Sequence, residues 1–175
     1  MNLLKDYVDQ IKAETFSLTN KVRLNVGLQS VGYSPVLERM GQIHTNEMYT
    51  RRFFSHENTF CRKVETISDR MLYCNAAEIF DMVGEVLANR VCVDNMDNIG
   101  LTYTEEEKIL SLPSTEFICI YMLKDWLLSE GHKNIILCPD YNFMGVGLLL
   151  YPKKIGNVKF RCLLVTQNMG RKRQS

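Results

Sequence analysis

No apolar run in the chain approaches the roughly 18 residues of a membrane-spanning helix, so no span is expected. Met1 to Lys12 lacks a basic stretch followed by an apolar one, so no signal peptide is expected in the given chain. Excess charge is missing as well: 21 Lys plus Arg stand against 20 Asp plus Glu. The net charge of +1 supplies no field for holding nucleic acid or an anionic membrane. The six cysteines contain no CxxC pair, which leaves zinc-knuckle and thioredoxin-like readings without support, and they are too sparse for a disulfide scaffold. HExxH, GxSxG and the calcium loop of an EF-hand are absent, as are internal repeats and low-complexity segments.

What is present is ordinary for a globular chain: 175 residues, 46% hydrophobic and 23% charged, enough for one core and one domain over 1–175. Leu4, Val8, Ile11, Leu18, Val22 and Val26 recur at helical spacing, predicting an amphipathic helix to about residue 26 with an interruption near Thr15. Ser34-Pro35 reads as a cap followed by proline at the first helical position. Leu37, Met40, Gly41, His44 and Met48 then share one face, so His44 points inward. Phe53-Phe54-Ser55-His56 follows as two aromatic anchors leading into a polar turn, and Arg62 to Leu72 is expected to be helical.

Gly84 to Ala88 reads as a strand in which Glu85, among apolar neighbours, needs a partner; a structural salt bridge and a polar site are both open. Residues 89–114 read as a long solvated connection. Ser114 caps a helix from Phe117 to Ser129 that carries Trp126, with Gly131 stopping it as a C′ glycine and His132 just beyond. Met144–Tyr151 and Val158–Gln167 are expected to be paired strands, with Gly145 and Gly147 baring one face to leave room for something. Arg171-Lys172-Arg173 reads as a solvated basic tail over 171–175. Cys119 and Cys162 are expected as buried thiols, while Cys61 and Cys74 flank one segment and could pair in an oxidising compartment. The fold class these elements predict is α+β, a small antiparallel sheet flanked by helices.

Four segments in order resemble the CAP superfamily (cysteine-rich secretory protein, antigen 5, pathogenesis-related-1), especially its bacterial-type SCP-like branch. They are Asn20-Lys21-Val22-Arg23 with Gly27-Leu28, Phe53-Phe54-Ser55-His56, Gly84-Glu85-Val86-Leu87-Ala88, and Trp126 through Gly147 followed by Thr166-Gln167. The resemblance covers about residues 18 to 170 and implies an α-β-α sandwich with His56, Glu85 and His132 in one cleft. Ser55, Ser129 and His44 would support it. Ser129 stands where many members carry a second acidic residue, Val86 where asparagine is usual, and Lys133 where arginine is usual. Residues 89–114 then look like an insertion.

Two imidazoles and a carboxylate with an open position form a set that zinc accepts, and a hydrogen-bonded His-Glu-His network without an ion is equally self-consistent. The resemblance implies secretion to an extracellular or cell-envelope location, no turnover, and lipid, sterol or protein ligands bound by a monomer or weak dimer. The alternative is a metal-assisted hydrolase with Glu85 taking a proton from bound water.

Overall fold

The computed structural model describes residues 3–92, 112–155 and 158–174. Five helices and four strands are present among them: α1 (Leu3–Asn25), β1 (Gly32–Tyr33), α2 (Pro35–Arg51), α3 (Ile67–Tyr73), β2 (Phe80–Val91), α4 (Thr115–Leu128), α5 (Glu130–Ile136), β3 (Phe143–Ile155) and β4 (Val158–Lys172). The sheet order is β1-β3-β4-β2. The three long strands are antiparallel, and the two-residue β1 adds parallel to β3, so the sheet is mixed rather than purely antiparallel.

Side-chain alternation along the strands separates two cores. Val86, Ala88, Val146, Leu148, Leu163 and Val165 pack against Ile11 of α1 and Ile118, Met122 and Trp126 of α4. On the opposite face Leu37 and Met40 of α2 meet Phe80, and Met48 meets Leu87 and Leu164. This is the α-β-α sandwich of the sequence reading. Each fully buried aliphatic side chain contributes about 1.5–3 kcal/mol, so the two helical layers hold the sheet from both sides.

Several local signals act as the sequence implies. Ser34 accepts a hydrogen bond from Leu37 N at the start of α2, a cap worth about 1 kcal/mol. The Asn20-x-x-Arg23 pair is a backbone clamp. Asn20 bonds both the N–H and the carbonyl of Val31. The buried Arg23 guanidinium donates to the carbonyls of Gln29, Ile136, Cys138 and Tyr141 at 2.8–3.0 Å, locking the chain that follows α5 onto α1. Trp126 is buried and donates Nε1–H to Leu87 O, fastening α4 to β2.

Other expectations change. Helix α1 runs unbroken through Thr15, whose hydroxyl bonds to Ile11 O one turn back within the same helix. The expected helix from Arg62 to Leu72 divides into a 3₁₀ turn, Arg62–Val64, and α3, which restarts at a Thr66–Asp69 capping box. Gly131 does not end α4. The chain breaks at Ser129, and Gly131 and His132 lie in the first turn of α5.

Gly145 and Gly147 do not clear space for a ligand. A Cβ on Gly145 would lie 2.1 Å from Glu38 N, and one on Gly147 would lie 2.1 Å from Gln42 N, so the bare strand face seats the α2 backbone. Residues 89–91 belong to β2 rather than to a connection, and 93–111 lie outside the described residues. The basic terminus is docked, not free: Arg171 pairs with Asp81, and Arg173 bonds Ala77 O and Ile79 O. All six cysteines are free thiols, with Cys119 and Cys162 buried, so Cys61 and Cys74 are unpaired.

Candidate functional site

Glu85 lies on β2, opposite Asn168 of β4, and its side chain is fully buried on the α2 face of the sheet. Its partner there is Arg70 of α3, a residue the sequence reading did not single out. Arg70 is also fully buried. Its Nη2 lies 3.0 Å from Glu85 Oε1 and 2.9 Å from Oε2. The same guanidinium donates to His56 O, Val64 O and Glu65 O. Arg70 thus ties the loop after α2 to β2. Cation and carboxylate balance inside the protein without help from a histidine.

His56 sits on that loop, with its side chain about half exposed and Nδ1 3.0 Å from Glu85 Oε1. A carboxylate oxygen accepts, so Nδ1 is the donor in this contact, and the neutral ring of that tautomer has its lone pair on Nε2. Asn58, fully buried, holds the loop from the other side by donating to Glu47 and accepting from Phe60 N. His132 on α5 completes the cluster: its ring centroid is 6.3 Å from that of His56, with the planes at 58°. Gly84 makes this approach feasible, since a Cβ there would lie 2.5 Å from Tyr141 Oη and 3.0 Å from Ile135 of α5. Burial lowers the His132 pKa, and the neighbouring His56 lowers it further, so His132 is neutral near pH 7.

The supporting residues divide. His44 is fully buried, with Nε2 donating to Ser55 O at 2.8 Å and lying 3.8 Å from Glu85 Oε1. Its Nδ1, left as an acceptor, has no hydrogen-bond partner among the described residues. Burial, the largest influence, lowers the His44 pKa despite Glu85. Ser55 contributes that carbonyl, while its hydroxyl accepts from Glu57 N, the bond of a turn residue rather than a nucleophile. Ser129 ends α4 and starts α5 with its backbone; its side chain caps neither helix. Of the aromatic pair, Phe53 packs edge-on to His44, whereas Phe54 is exposed, so one ring anchors the loop instead of two.

Among the described residues no group of three or more His, Cys, Asp or Glu side chains is arranged to hold a metal ion. Glu85 is withdrawn into its ion pair, leaving His56 and His132 as the accessible donors.

The helix–sheet–helix sandwich is a CAP, or SCP-like, fold. The structure is similar to that of an extracellular SCP-domain protein from Bacillus anthracis, with a TM-score of 0.65 and 22% identity over 94% of this chain and 41% of that one. It is also similar to an outer surface protein from Borrelia burgdorferi (TM-score 0.56, 16% identity, 90% of both chains). A cysteine-rich secretory protein from Staphylococcus aureus matches with a TM-score of 0.50 and 11% identity over 94% of this chain and 39% of that one. The chain therefore spans well under half the length of the Bacillus and Staphylococcus proteins. No protein-family model and no curated protein sequence matches it.

Proposed function

We propose that the chain is a non-catalytic binding domain of the CAP type that acts outside the cell and takes a divalent cation, zinc first, at His56 and His132. The observation that carries this reading is the His56 Nδ1 contact to Glu85, which leaves the Nε2 lone pair on a ring 6.3 Å from His132. The donor chemistry fits. Two neutral imidazoles suit zinc, and a carboxylate hydrogen-bonded to a ligand histidine makes it a better donor. With a metal–nitrogen distance of about 2.0–2.1 Å, two rings sharing a tetrahedral ion have centroids roughly 5–5.5 Å apart. A closure of about 1 Å is within reach of side-chain rotation at the half-exposed His56. Water or a ligand would fill the remaining positions.

The names of the similar proteins, extracellular, outer-surface and secretory, support the location. No helix among the described residues is long and apolar enough to cross a membrane. The hydrolase alternative is disfavoured by the ion pair, because both oxygens of the fully buried Glu85 carboxylate are engaged by Arg70 rather than turned to a water it would have to deprotonate. Zinc titration by calorimetry tests the reading: micromolar or tighter uptake is expected in the unaltered protein and loss in His56→Ala and His132→Ala. Unchanged uptake in both variants rules the site out.

A second ligand reading rests on a separate observation. Between α1 and α4 an open groove of about 330 Å³ is lined by Leu18, Val22, Ile120, Leu123, Leu127 and Leu128, with the charged Lys124 in its wall. An apolar wall with a single cation suits an acyl chain with a carboxylate head. Displacement of a fluorescent fatty acid, and its weakening in Val22→Trp, would support lipid binding; equal affinity in both proteins would place any lipid elsewhere.

A further inference from the structure

We infer that Arg70 is a positioning residue, a built-in guanidinium that holds Glu85 turned to His56 and so fixes which imidazole nitrogen the site presents. The inference deepens the cation reading in that His56 is the group presented, but its evidence is independent of any ion.

Three observations carry it. First, Arg70 and Glu85 are both fully buried, so each is the other's charge compensation and solvent cannot substitute for either. Second, Nη2 addresses both carboxylate oxygens, leaving Oε1 in the one place where His56 Nδ1 also reaches it, at 3.0 Å. Third, the guanidinium bonds the backbone carbonyl of His56 itself and those of Val64 and Glu65, so the same group fixes both the carboxylate and the loop that carries the ring. A planar fork with several donors can do this at once, and a single ammonium cannot.

The consequence is a division of labour within the cluster. Glu85 acts on the imidazole and is withheld from direct coordination and from general-base work. Without the guanidinium, neither the carboxylate nor the loop that carries the ring is held where the two meet. Loss of that register frees the ring to turn or to exchange its tautomer, so that Nε2 is no longer the nitrogen fixed outward.

The test is made on metal-free protein by nitrogen-15 NMR of the histidine side chains at pH 7.5, where each imidazole form has its own pair of ring-nitrogen shifts. In the unaltered protein His56 is expected as the neutral Nδ1–H form; finding it as Nε2–H overturns the inference with no variant needed. In Arg70→Met the share of the Nδ1–H form is expected to fall by roughly tenfold, the scale of one charge-assisted hydrogen bond. In Arg70→Lys, which keeps the charge without the fork, a fall in the same direction is expected. A folded methionine variant or a folded lysine variant with the signature unchanged overturns the role given to the fork. Zinc titration of the same samples reports separately on the cation reading. Absent zinc uptake with the Nδ1–H signature intact removes that reading and leaves the assignment of Arg70 standing.

Discussion

Arg70 and Glu85 form an ion pair shut off from water, with one guanidinium nitrogen 3.0 and 2.9 Å from the two carboxylate oxygens and both side chains fully buried. Such a pair costs much more to break than it contributes as a whole, because the survivor is left as a bare buried charge. Arg70→Met and Glu85→Leu are each expected to lower stability by about 3–5 kcal/mol. The double variant Arg70→Met/Glu85→Leu is expected to lose clearly less than the sum of the single losses. Urea unfolding of the four proteins measures this, and additive losses would show that the two charges are not coupled.

The seat of α2 on the sheet makes a second prediction. Gly145 and Gly147 face α2 so closely that a Cβ would lie 2.1 Å from backbone nitrogens of Glu38 and Gln42. Backbone cannot swing aside as a side-chain tip can. Gly145→Ala and Gly147→Ala are therefore each expected to cost about 3 kcal/mol or more, at the upper end of overpacking. Thermal unfolding checks it, and a loss below 1 kcal/mol would mean that α2 sits further from β3 than the structure shows.

His44 predicts an acid limb of stability. It is fully buried, and burial lowers its pKa against the raising effects of Glu85 and the Ser55 carbonyl and alongside the lowering effects of Arg70 and His56. Its folded pKa therefore lies below the ordinary 6.5, and between the two values the unfolded chain binds the proton that the folded one refuses. Stability is complete above about pH 6.5 and falls as pH drops toward the folded value, by up to about 1.4 kcal/mol per pH unit. Asp69 and Asp81, whose pKa values are lowered by bonds from Thr66 and Arg171, lose their contributions only below about pH 4. His44→Gln is expected to flatten the dependence between pH 5 and 6.5; an equal slope in both proteins would assign the limb to other groups.

The layers and the histidines were legible because their signals are local. The helical spacing in α1 and α2, the Ser34-Pro35 start, the Ser114 cap and the alternation around Val86 each depend on residues close in sequence. Glu85 among apolar residues announced a missing partner, but nothing local says which cation crosses to it. Arg70 looks like an exposed helical arginine until α3 is folded against β2. The glycines of β3 were misread for a related reason: a bare strand face looks the same in sequence whether it faces a ligand or a helix backbone. Gly131 failed as a stop signal because Ser129 had already broken the helix, and a glycine with no neighbour within 4 Å fits a first turn without strain.

The last prediction follows from Arg23, which lies far from the cleft in sequence yet secures one of its walls. Its guanidinium, nowhere exposed, donates to the carbonyls of Ile136, Cys138 and Tyr141, the stretch that leads from α5 into β3. His132 sits one helical turn before that stretch, so the clamp on α1 sets where α5 ends and where its histidine stands relative to His56. Arg23→Lys preserves the charge but cannot reach all of these acceptors, leaving buried carbonyls unmet at about 1–3 kcal/mol each. The expected outcome is a stability loss of about 3 kcal/mol or more together with faster amide exchange confined first to residues 136–141. Zinc uptake is expected to weaken in the same variant although no donor has been touched. Unchanged exchange over 136–141 in a folded Arg23→Lys protein would show that packing on α4 and β2 holds α5 without the clamp.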